Sequence, residues 1–348
     1  EGYQEERAPT WNARDVAVER ARRAGVPAVV LSPCPDLGMT AAADDVLTLA
    51  RSSERAGWPI LDIIDRRADD PRTGLFSERL ADALRRADRI VCVLNRKGRA
   101  RLLACGACGE LARCERCQAA VAQIDDRLVC HRCHLDRPPV CASCASTRLK
   151  SLRLGVTRVR EELAALTGRQ GGEVTADTET VPDAPVLIGT EAVLHRVGRV
   201  DAVAFLDFDQ ELLATRYRAN EQALGLLARA GRLVGGRRSG GRVLVQTRVP
   251  KHEVLDAALH GDPDRVAEPE LERRRALGFP PVSALALVSG PAAPALIELL
   301  VPQPVELLGP DDGRWLVRAP DHRTLAAAFA AAGRPPGRLR IEIDPLRI

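Results

Sequence analysis

The sequence has 348 residues, of which 45% are apolar and 28% charged, and 51 basic against 47 acidic side chains leave a mildly basic net charge of +4. This composition is that of a globular protein, and it excludes a disordered, collagen-like or coiled-coil chain. The length predicts two or three domains. No apolar run approaches the ~18 residues of a membrane span and there is no secretory leader, so we expect a soluble cytoplasmic protein. The first residue is Glu1 and not Met, which indicates a fragment of a longer protein.

Helical and strand patterns alternate before residue 95. Amphipathic spacing predicts helices, and short apolar runs between turn signals predict buried strands. The predicted helices are 14–24 and 75–87, and the predicted strands are 27–31, 60–64 and 89–94. Cys34 and Cys92 lie in or beside these runs, so we expect both to be buried, inert thiols. The alternation predicts a parallel sheet covered on both faces.

The alternation resumes after a cysteine-rich stretch, which is therefore predicted to be an insertion into an α/β domain. The predicted elements are helix 156–166, strand 184–190, strand 202–207, helix 220–230 and strand 242–247. Asp207 and Asp209 follow one of these strands. We expect them to orient the loop; the alternative is a carboxylate pair for acid–base or metal chemistry. From about residue 250, strands 283–288 and 315–317 and helix 325–332 predict a separate α+β domain.

Eight of the ten cysteines form four C-x-x-C pairs with gaps of five, twelve and seven residues. The pairs are Cys105/Cys108, Cys114/Cys117, Cys130/Cys133 and Cys141/Cys144. A C-x-x-C turn lets two thiolates converge on one tetrahedral ion, and two such turns complete a closed zinc site of four cysteines. Because there is no secretory leader, metal binding is favoured over disulfides. The sequence therefore predicts two Zn²⁺ ions.

Three ways of combining the four pairs are possible. Known sites commonly separate their two pairs by ~12–20 residues, which favours one zinc between the second and third pairs and a second zinc between the first and fourth. His131 and His134 are alternative ligands that eight thiolates leave unnecessary, so we expect them at the surface. Residues 95–150 carry +6, which favours contact with an acidic partner over a module that only stabilises the fold.

The order of these features resembles the PriA family of primosomal replication-restart proteins, which are superfamily-two DNA helicases. The resemblance rests on the aromatic-bearing run 3–17, the L-N-R-K-G run 94–98, the cysteine spacing, the segments 187–190 and 206–209, the stretch 273–281, which contains the family's R-R-x-x-x-x-P-P, and the ending I-D-P at 343–345. The family uses the nested zinc pairing described above. The resemblance implies that 1–70 is the remainder of a first RecA-like lobe, 71–104 with 148–249 the second lobe, 105–147 the zinc-binding module and 250–348 the C-terminal α+β domain. The phosphate-binding loop and acidic Mg²⁺ motif would lie upstream of Glu1.

Three helicase motifs depart from the family pattern. Residues 31–35 are L-S-P-C-P in place of G-S-A-T-P, 189–196 are G-T-E-A-V-L-H-R in place of G-T-Q-M-x-x-K-G, and 225–232 are G-L-L-A-R-A-G-R in place of Q-V-A-G-R-A-G-R. The resemblance implies ATP and Mg²⁺ as cofactors, with nucleotide contacts at Gly189, Thr190, Arg229 and Arg232. An arginine aimed at the γ-phosphate stabilises charge that develops during phosphoryl transfer. The alternative is that both arginines belong to a basic surface that faces DNA.

Single-stranded DNA contact is implied for the aromatic residues Tyr3 and Trp11, because bases stack on aromatic rings whatever their sequence. The alternative for Trp11 is packing within the lobe. Residues 222–252 contain seven basic side chains and no acidic one, and we expect Arg237, Arg238 and Arg242 to contact DNA phosphates.

The resemblance implies a replication-restart protein that binds stalled or branched forks and promotes primosome assembly and helicase reloading, with helicase activity reduced or lost. Its partners would be forked and single-stranded DNA, primosome components and single-stranded DNA-binding protein, with association to the nucleoid and no membrane. One alternative is an active ATP-dependent 3′–5′ helicase that tolerates the altered motifs. Another is an unrelated zinc-ribbon protein that binds nucleic acid.

Overall fold

The computed structural model describes residues 4–5, 11–69, 75–94, 103–130, 132–151, 156–175 and 178–345. The chain divides into two compact units. One is Leu47–Val266, and the other joins Glu1–Val46 to Ala267–Ile348.

All five predicted helices are present, and the described part of the chain contains seven further α-helices that the sequence patterns did not predict. Asn12, Ser77 and Asp321 cap three of the predicted helices by accepting hydrogen bonds from backbone N–H groups of the first turn. In chain order the helices are α1 Ala13–Ala24, α2 Leu37–Ala42, α3 Arg51–Gly57, α4 Glu78–Arg86, α5 Val156–Thr167, α6 Val193–Arg196, α7 Asp209–Leu212, α8 Ala219–Val234, α9 Glu253–His260, α10 Asp264–Leu277, α11 Ala293–Leu300 and α12 His322–Ala332, with a short 3-10 helix at Arg237–Ser239.

The strands form a six-stranded parallel sheet, a four-stranded antiparallel sheet and three smaller sheets of two or three strands. In chain order they are β1 Gln4–Glu5, β2 Trp11–Asn12, β3 Ile60–Asp65, β4 Ile90–Val93, β5 Leu103–Cys105, β6 Ala122–Ile124, β7 Arg127–Val129, β8 Asp136–Arg137, β9 Leu149–Ser151, β10 Gly171–Val174, β11 Val186–Gly189, β12 Ala202–Phe205, β13 Arg242–Thr247, β14 Ala284–Ser289, β15 Glu306–Asp311, β16 Arg314–Ala319 and β17 Arg340–Ile343.

A six-stranded parallel sheet in the order β10-β11-β4-β12-β13-β3 forms the centre of the larger unit. Leu80 and Leu84 of α4 and Leu163 of α5 pack on one face, against a core that includes Ile90 and Ile188. Helix α8 packs against β12 and β13, where side chains alternate between the two faces of the sheet. The parallel α/β class is confirmed, and it is consistent with a helicase lobe.

Strand β3 differs from the predicted domain division. The sequence division at residue 70 assigns this strand to a first lobe, whereas β3 pairs along its whole length with β13 at the edge of the six-stranded sheet. Complete backbone pairing between β3 and β13 places residues 60–65 in the same core as the second-lobe strands. The other domain boundaries stay predictions.

A four-stranded antiparallel sheet in the order β15-β16-β14-β17 lies in the C-terminal part of the chain. Helices α11 and α12 cover it, and Leu296, Leu325 and Val317 contribute to the shared core. The α+β character predicted for this region is confirmed.

The predicted strand at 27–31 is wrong. Residues 27–31 form no strand, and Val29 and Leu31 are 82% and 90% exposed. An apolar run becomes a strand only where a neighbouring strand offers backbone hydrogen bonds, and none of the described strands pairs with it. The expectation for Cys34 fails with it, because Cys34 is only half-buried, whereas Cys92 is buried as expected and burial raises the pKa of its thiol to about 12.

No helix in the part of the chain that the structure describes is long and apolar enough to cross a membrane.

Candidate metal centre and basic surface

The eight clustered cysteines gather into two groups of four. The outer group is Cys105, Cys108, Cys141 and Cys144, and the inner group is Cys114, Cys117, Cys130 and Cys133. Within each group all the sulfur atoms lie within 4.8 Å of one another. The chain therefore has the nested arrangement, in which the first pair meets the fourth and the second meets the third.

The sulfur positions fit tetrahedral metal coordination. The shortest contacts across the outer group are 3.6 Å, between Cys105 and Cys144 and between Cys108 and Cys141. Those across the inner group are 3.4 and 3.5 Å. Four sulfurs at the usual Zn–S distance of about 2.3 Å lie about 3.8 Å apart, whereas a disulfide requires about 2.05 Å. The two groups are compatible with two zinc ions.

All four C-x-x-C pairs are followed by the same hydrogen-bonded, left-handed residue. In each turn, the residue four positions after the first cysteine donates its N–H to that cysteine's carbonyl oxygen at 2.9 Å. That residue has a left-handed φ in every case, at Gly109 (77°), Gln118 (59°), His134 (57°) and Ala145 (58°). A repeated turn of this kind orients both thiols of a pair toward one point. His134 is therefore a turn residue, exposed and outside both groups, while His131 lies outside the described residues.

The two groups differ in exposure and in neighbouring charge. Cys108 and Cys144 of the outer group are exposed, while Cys117 and Cys133 of the inner group are half-buried. The x-x positions of the inner pairs hold Glu115, Arg116, His131 and Arg132, whereas those of the outer pairs hold small neutral residues. The backbone N–H of Leu135 donates to the Cys133 sulfur and lowers the pKa of this thiol to about 7. In the outer group, burial opposes ionisation of Cys105, but the backbone N–H groups of Cys108 and Ala107 donate to its sulfur, outweigh this effect and lower the pKa of the thiol to about 6. Each group therefore has one thiol that favours the thiolate form.

The cysteine module is joined to the parallel sheet by an apolar contact and by backbone hydrogen bonds. Ala104, Leu111 and Ala120 of the module pack with Leu213, the residue that follows α7. The Ala120 N–H donates to the Leu213 carbonyl at 3.1 Å. Arg248, just after β13, donates to the carbonyl of Gly109 at 3.4 Å. The module is thus held against the end of the sheet where β12 and β13 finish.

Asp207 and Asp209 lie at this same end of the sheet. Asp209 is buried and accepts hydrogen bonds from the Thr247 hydroxyl and, at 3.0 Å, from the Arg248 N–H. Asp207 accepts from Gln210 at 2.8 Å. Burial, with a smaller contribution from the Asp207 charge, raises the pKa of Asp209 to about 7, and burial also raises the pKa of Asp207. These hydrogen bonds tie the segment after β12 to the end of β13, which fits the expectation that Asp207 and Asp209 orient this loop.

Gln246 is a buried polar residue that the sequence patterns did not single out. Its amide nitrogen donates to the carbonyls of Leu75 and Leu206 at 2.6 and 2.8 Å. Its amide oxygen accepts from both the backbone N–H and the hydroxyl of Ser77, the residue that caps α4. In the sequence, this residue could have been recognised as a glutamine directly after the apolar run 243–245.

The residues predicted to contact nucleotide lie on different elements of the sheet unit. Gly189 ends β11 so tightly against β10 that a Cβ there would lie 2.1 Å from the Val174 carbonyl oxygen. Thr190 follows it. Arg229, on α8, contacts the ring of His195, which replaces the lysine of the family motif, and Arg232 is exposed in the last turn of α8. Nucleotide binding by these residues stays a prediction.

The residues predicted to contact DNA are only partly described. Tyr3 lies outside the described residues, and for Trp11 the structure describes the backbone, paired with Glu5 in the small β1–β2 ladder. Arg242 forms an ion pair with Asp62 at 2.6 Å. Arg237 donates to the Leu259 carbonyl at 2.8 Å, and Arg238 is exposed in the 3-10 helix. These three arginines lie near the beginning of β13, at the opposite end of the sheet from Gly189.

A parallel α/β sheet of this order with an inserted module of two four-cysteine groups is consistent with a helicase lobe that carries a cysteine-rich insertion. No protein-family model matches the sequence. Curated relatives do: the replication restart protein PriA of Bacillus subtilis is 27% identical over 82% of this chain and 39% of its own length. PriA of Haemophilus influenzae is 26% identical over 83% and 43%. A protein of Mycobacterium leprae, named as a probable PriA, is 31% identical over 94% and 54%.

The chain belongs to the PriA family as a divergent member. It spans about half the length of the curated relatives that it matches.

Proposed function

We propose that this chain is the part of a replication-restart protein that recognises stalled or branched replication forks and promotes primosome assembly and reloading of the replicative helicase. The observation that carries the proposal is the similarity to PriA over 82–94% of the chain in the three relatives described above. That range includes both the parallel sheet and the cysteine module, so the alternative of an unrelated zinc-ribbon protein has no support. Forked DNA, single-stranded DNA, single-stranded DNA-binding protein and primosome components are the partners we propose, with association to the nucleoid.

The proposed role of the cysteine module is structural. Each four-cysteine group would hold one Zn²⁺, and a zinc ion with four thiolate ligands has no open position for water or substrate. Bound zinc would cross-link four turns that contribute few apolar side chains of their own. The chain's own residues then present the module rigidly at the end of the sheet, through Leu213 and Arg248.

Reduced or absent helicase activity is the second part of the proposal. Residues 31–35 lack the small residue and the hydroxyl of the family motif, and two prolines stiffen this stretch. Arg229 contacts His195, so the proposed nucleotide-facing arginine has a partner within the protein. ATP and Mg²⁺ would act only if Gly189, Thr190 and the two α8 arginines still form a nucleotide site.

The proposal is tested by measuring binding and ATP hydrolysis on the same purified protein in its full natural length. Binding is compared between a forked DNA and a plain duplex of equal length, and ATP hydrolysis is followed with and without the fork. We expect preferential fork binding with no DNA-stimulated hydrolysis. Stimulated hydrolysis with strand separation would instead favour the active 3′–5′ helicase. Equal, weak binding to both DNAs would refute fork recognition.

A further inference from the structure

Three exposed arginines lie on the segments that meet at Gly235, the residue that ends α8. Arg232 lies in the last turn of α8, and Arg238 lies in the 3-10 helix just beyond Gly235. Arg199 comes from the loop before β12, and its guanidinium lies 3.7 Å from the position that a Cβ on Gly235 would take. The Val200 N–H donates to the Leu233 carbonyl at 3.1 Å, which holds that loop against the end of α8. We call Arg199, Arg232 and Arg238 the Gly235 arginine cluster.

The arginines of this cluster carry positive charge that no ion pair of the described residues offsets. None of the three arginines forms an ion pair within the part of the chain that the structure describes. Residues 192–200 and 222–252, which carry the cluster, contain no Asp or Glu. The nearest acidic residue along the chain, Asp201, accepts a hydrogen bond from the Arg89 backbone N–H at 2.7 Å. Three exposed cations on neighbouring segments attract a polyanion.

The neighbouring arginines Arg237 and Arg242 have partners within the protein. Arg242 is paired with Asp62, and Arg237 donates to the Leu259 carbonyl. Both help to join β13 and the 3-10 helix to the rest of the unit. Of the three arginines predicted to contact DNA at this end of the sheet, only Arg238 belongs to the cluster; Arg232 and Arg199 complete it.

The surface around the cluster fits a phosphate backbone better than bases. Gly198 and Gly240 face open space, so few side chains stand between the arginines and an approaching strand. The two segments that carry the cluster contain no Phe, Trp or Tyr on which a base could stack. A guanidinium matches the geometry of a phosphate with two parallel hydrogen bonds. Contacts of this type fix position on DNA without reading its sequence.

We propose that the Gly235 arginine cluster binds the phosphate backbone of duplex DNA, independently of sequence. This inference rests on the proposed function, because it presupposes that the chain acts on DNA. It adds the surface that holds a double-stranded arm and the residues that contact it.

The test compares two triple variants that remove the same charge. The cluster variant is Arg199→Ala with Arg232→Ala and Arg238→Ala. The matched control is Arg323→Ala with Arg334→Ala and Arg338→Ala, three exposed arginines of the C-terminal region. Affinity for a fluorescent duplex of arbitrary sequence is measured by anisotropy between about 50 and 200 mM salt. Because each phosphate contact contributes about 0.9 to the slope of log affinity against log salt, the cluster variant should lose about 2 to 3 of that slope and about tenfold or more in affinity.

Each outcome separates this inference from the proposed function. If the unmodified protein binds neither duplex nor fork, the proposed function fails. If it binds duplex and the cluster variant keeps the same affinity and salt slope, this inference alone fails. If the cluster variant loses affinity only for single-stranded DNA, or only for a poly-glutamate peptide, the inference is also overturned, and the surface binds that other partner instead. Unchanged thermal unfolding and zinc content show that the variant is folded, and an Arg→Gln triple replaces the Ala triple if it is not.

Discussion

Asp209 is a buried acid whose charge the fold stabilises only in part. The Thr247 hydroxyl and the Arg248 N–H donate to it, but burial and the neighbouring Asp207 oppose ionisation and raise its pKa to about 7. A free carboxyl in an unfolded chain titrates near 3.9. Between these values the folded protein binds a proton that the unfolded chain releases, so this residue makes folding less favourable as pH rises from about 4 to about 7.

We therefore expect Asp209→Asn to remove a pH-dependent destabilisation. The asparagine oxygen can still accept hydrogen bonds from the Thr247 hydroxyl and the Arg248 N–H, but its amide does not titrate between pH 4 and pH 7. Relative to the variant, the wild-type protein should lose up to about 4 kcal/mol of unfolding free energy between about pH 4 and pH 7. Chemical denaturation at several pH values measures this difference, in which the titration of the cysteines cancels. Parallel stability curves for the two proteins would contradict the assignment.

Gly189 and Gly225 give a matched pair of glycine substitutions. A Cβ at Gly189 meets the Val174 carbonyl oxygen at 2.1 Å, whereas a Cβ at Gly225 on α8 meets nothing within 4 Å. Gly189→Ala should destabilise the protein by about 3 kcal/mol because strand β10 must move. Gly225→Ala should stabilise it by up to about 1 kcal/mol, because alanine is the better helix residue. Thermal unfolding of both variants checks the prediction, and equal effects would refute the close packing at Gly189.

At the scale of elements, α10 carries a buried ion pair. Arg274 is 2% exposed and donates to Glu270 at 3.1 Å and to the Pro280 carbonyl at 3.0 Å. The preceding Arg273 also contacts Glu270, from a more exposed position. The adjacent Arg273 and Arg274 therefore have different environments, and Arg274 joins the helix to the proline pair that precedes β14.

We expect Arg274→Ala to cost about 3–5 kcal/mol of unfolding free energy, because it leaves the Glu270 carboxylate buried with one partner fewer. Arg273→Ala is the control and should cost less than about 1 kcal/mol, since solvent screens the exposed partner. Urea denaturation monitored by circular dichroism distinguishes them. If the two variants unfold at the same urea concentration, the ion pair does not have the importance we assign to it.

At the scale of the whole molecule, the nested arrangement of the cysteines makes the module one closed structure. The outer group joins the beginning of the module to its end, and the inner group lies within that loop. Each Zn²⁺ with four thiolates carries a net charge of about −2. Two such centres offset the formal charge of +4, so the basic total is no argument for nucleic-acid binding. That argument belongs to local surfaces such as the Gly235 arginine cluster.

Double cysteine variants test the nested arrangement by metal content. The unmodified protein should contain two zinc ions per chain by elemental analysis. Cys105→Ser with Cys141→Ser changes a single group and should leave one zinc ion, whereas Cys105→Ser with Cys114→Ser changes both groups and should leave none. One zinc ion retained in the second variant would mean that those two cysteines share a site. Iron–sulfur absorbance would refute zinc altogether.

The sequence by itself determined the class of fold, the cysteine module and the family. These follow from local periodicity, from the spacing of C-x-x-C pairs and from the order of motifs, all of which are properties of neighbouring residues. The spacing even favoured the nested grouping, because a twelve-residue gap suits one four-thiolate site. Left-handed turn residues such as Gln118 and His134 were not foreseen, because neither side chain prefers that conformation strongly.

Only the tertiary structure decided which predicted strands pair with other strands and which charged residues form ion pairs. The apolar run 27–31 has strand composition but no pairing strand among the described residues, while β3 pairs with β13, some 180 residues away along the chain. Likewise Arg242 and Arg238 look equivalent in the sequence, yet one is paired with Asp62 and the other is exposed. Burial, ion pairing and proton affinity depend on residues distant in sequence, so the fold had to assign them.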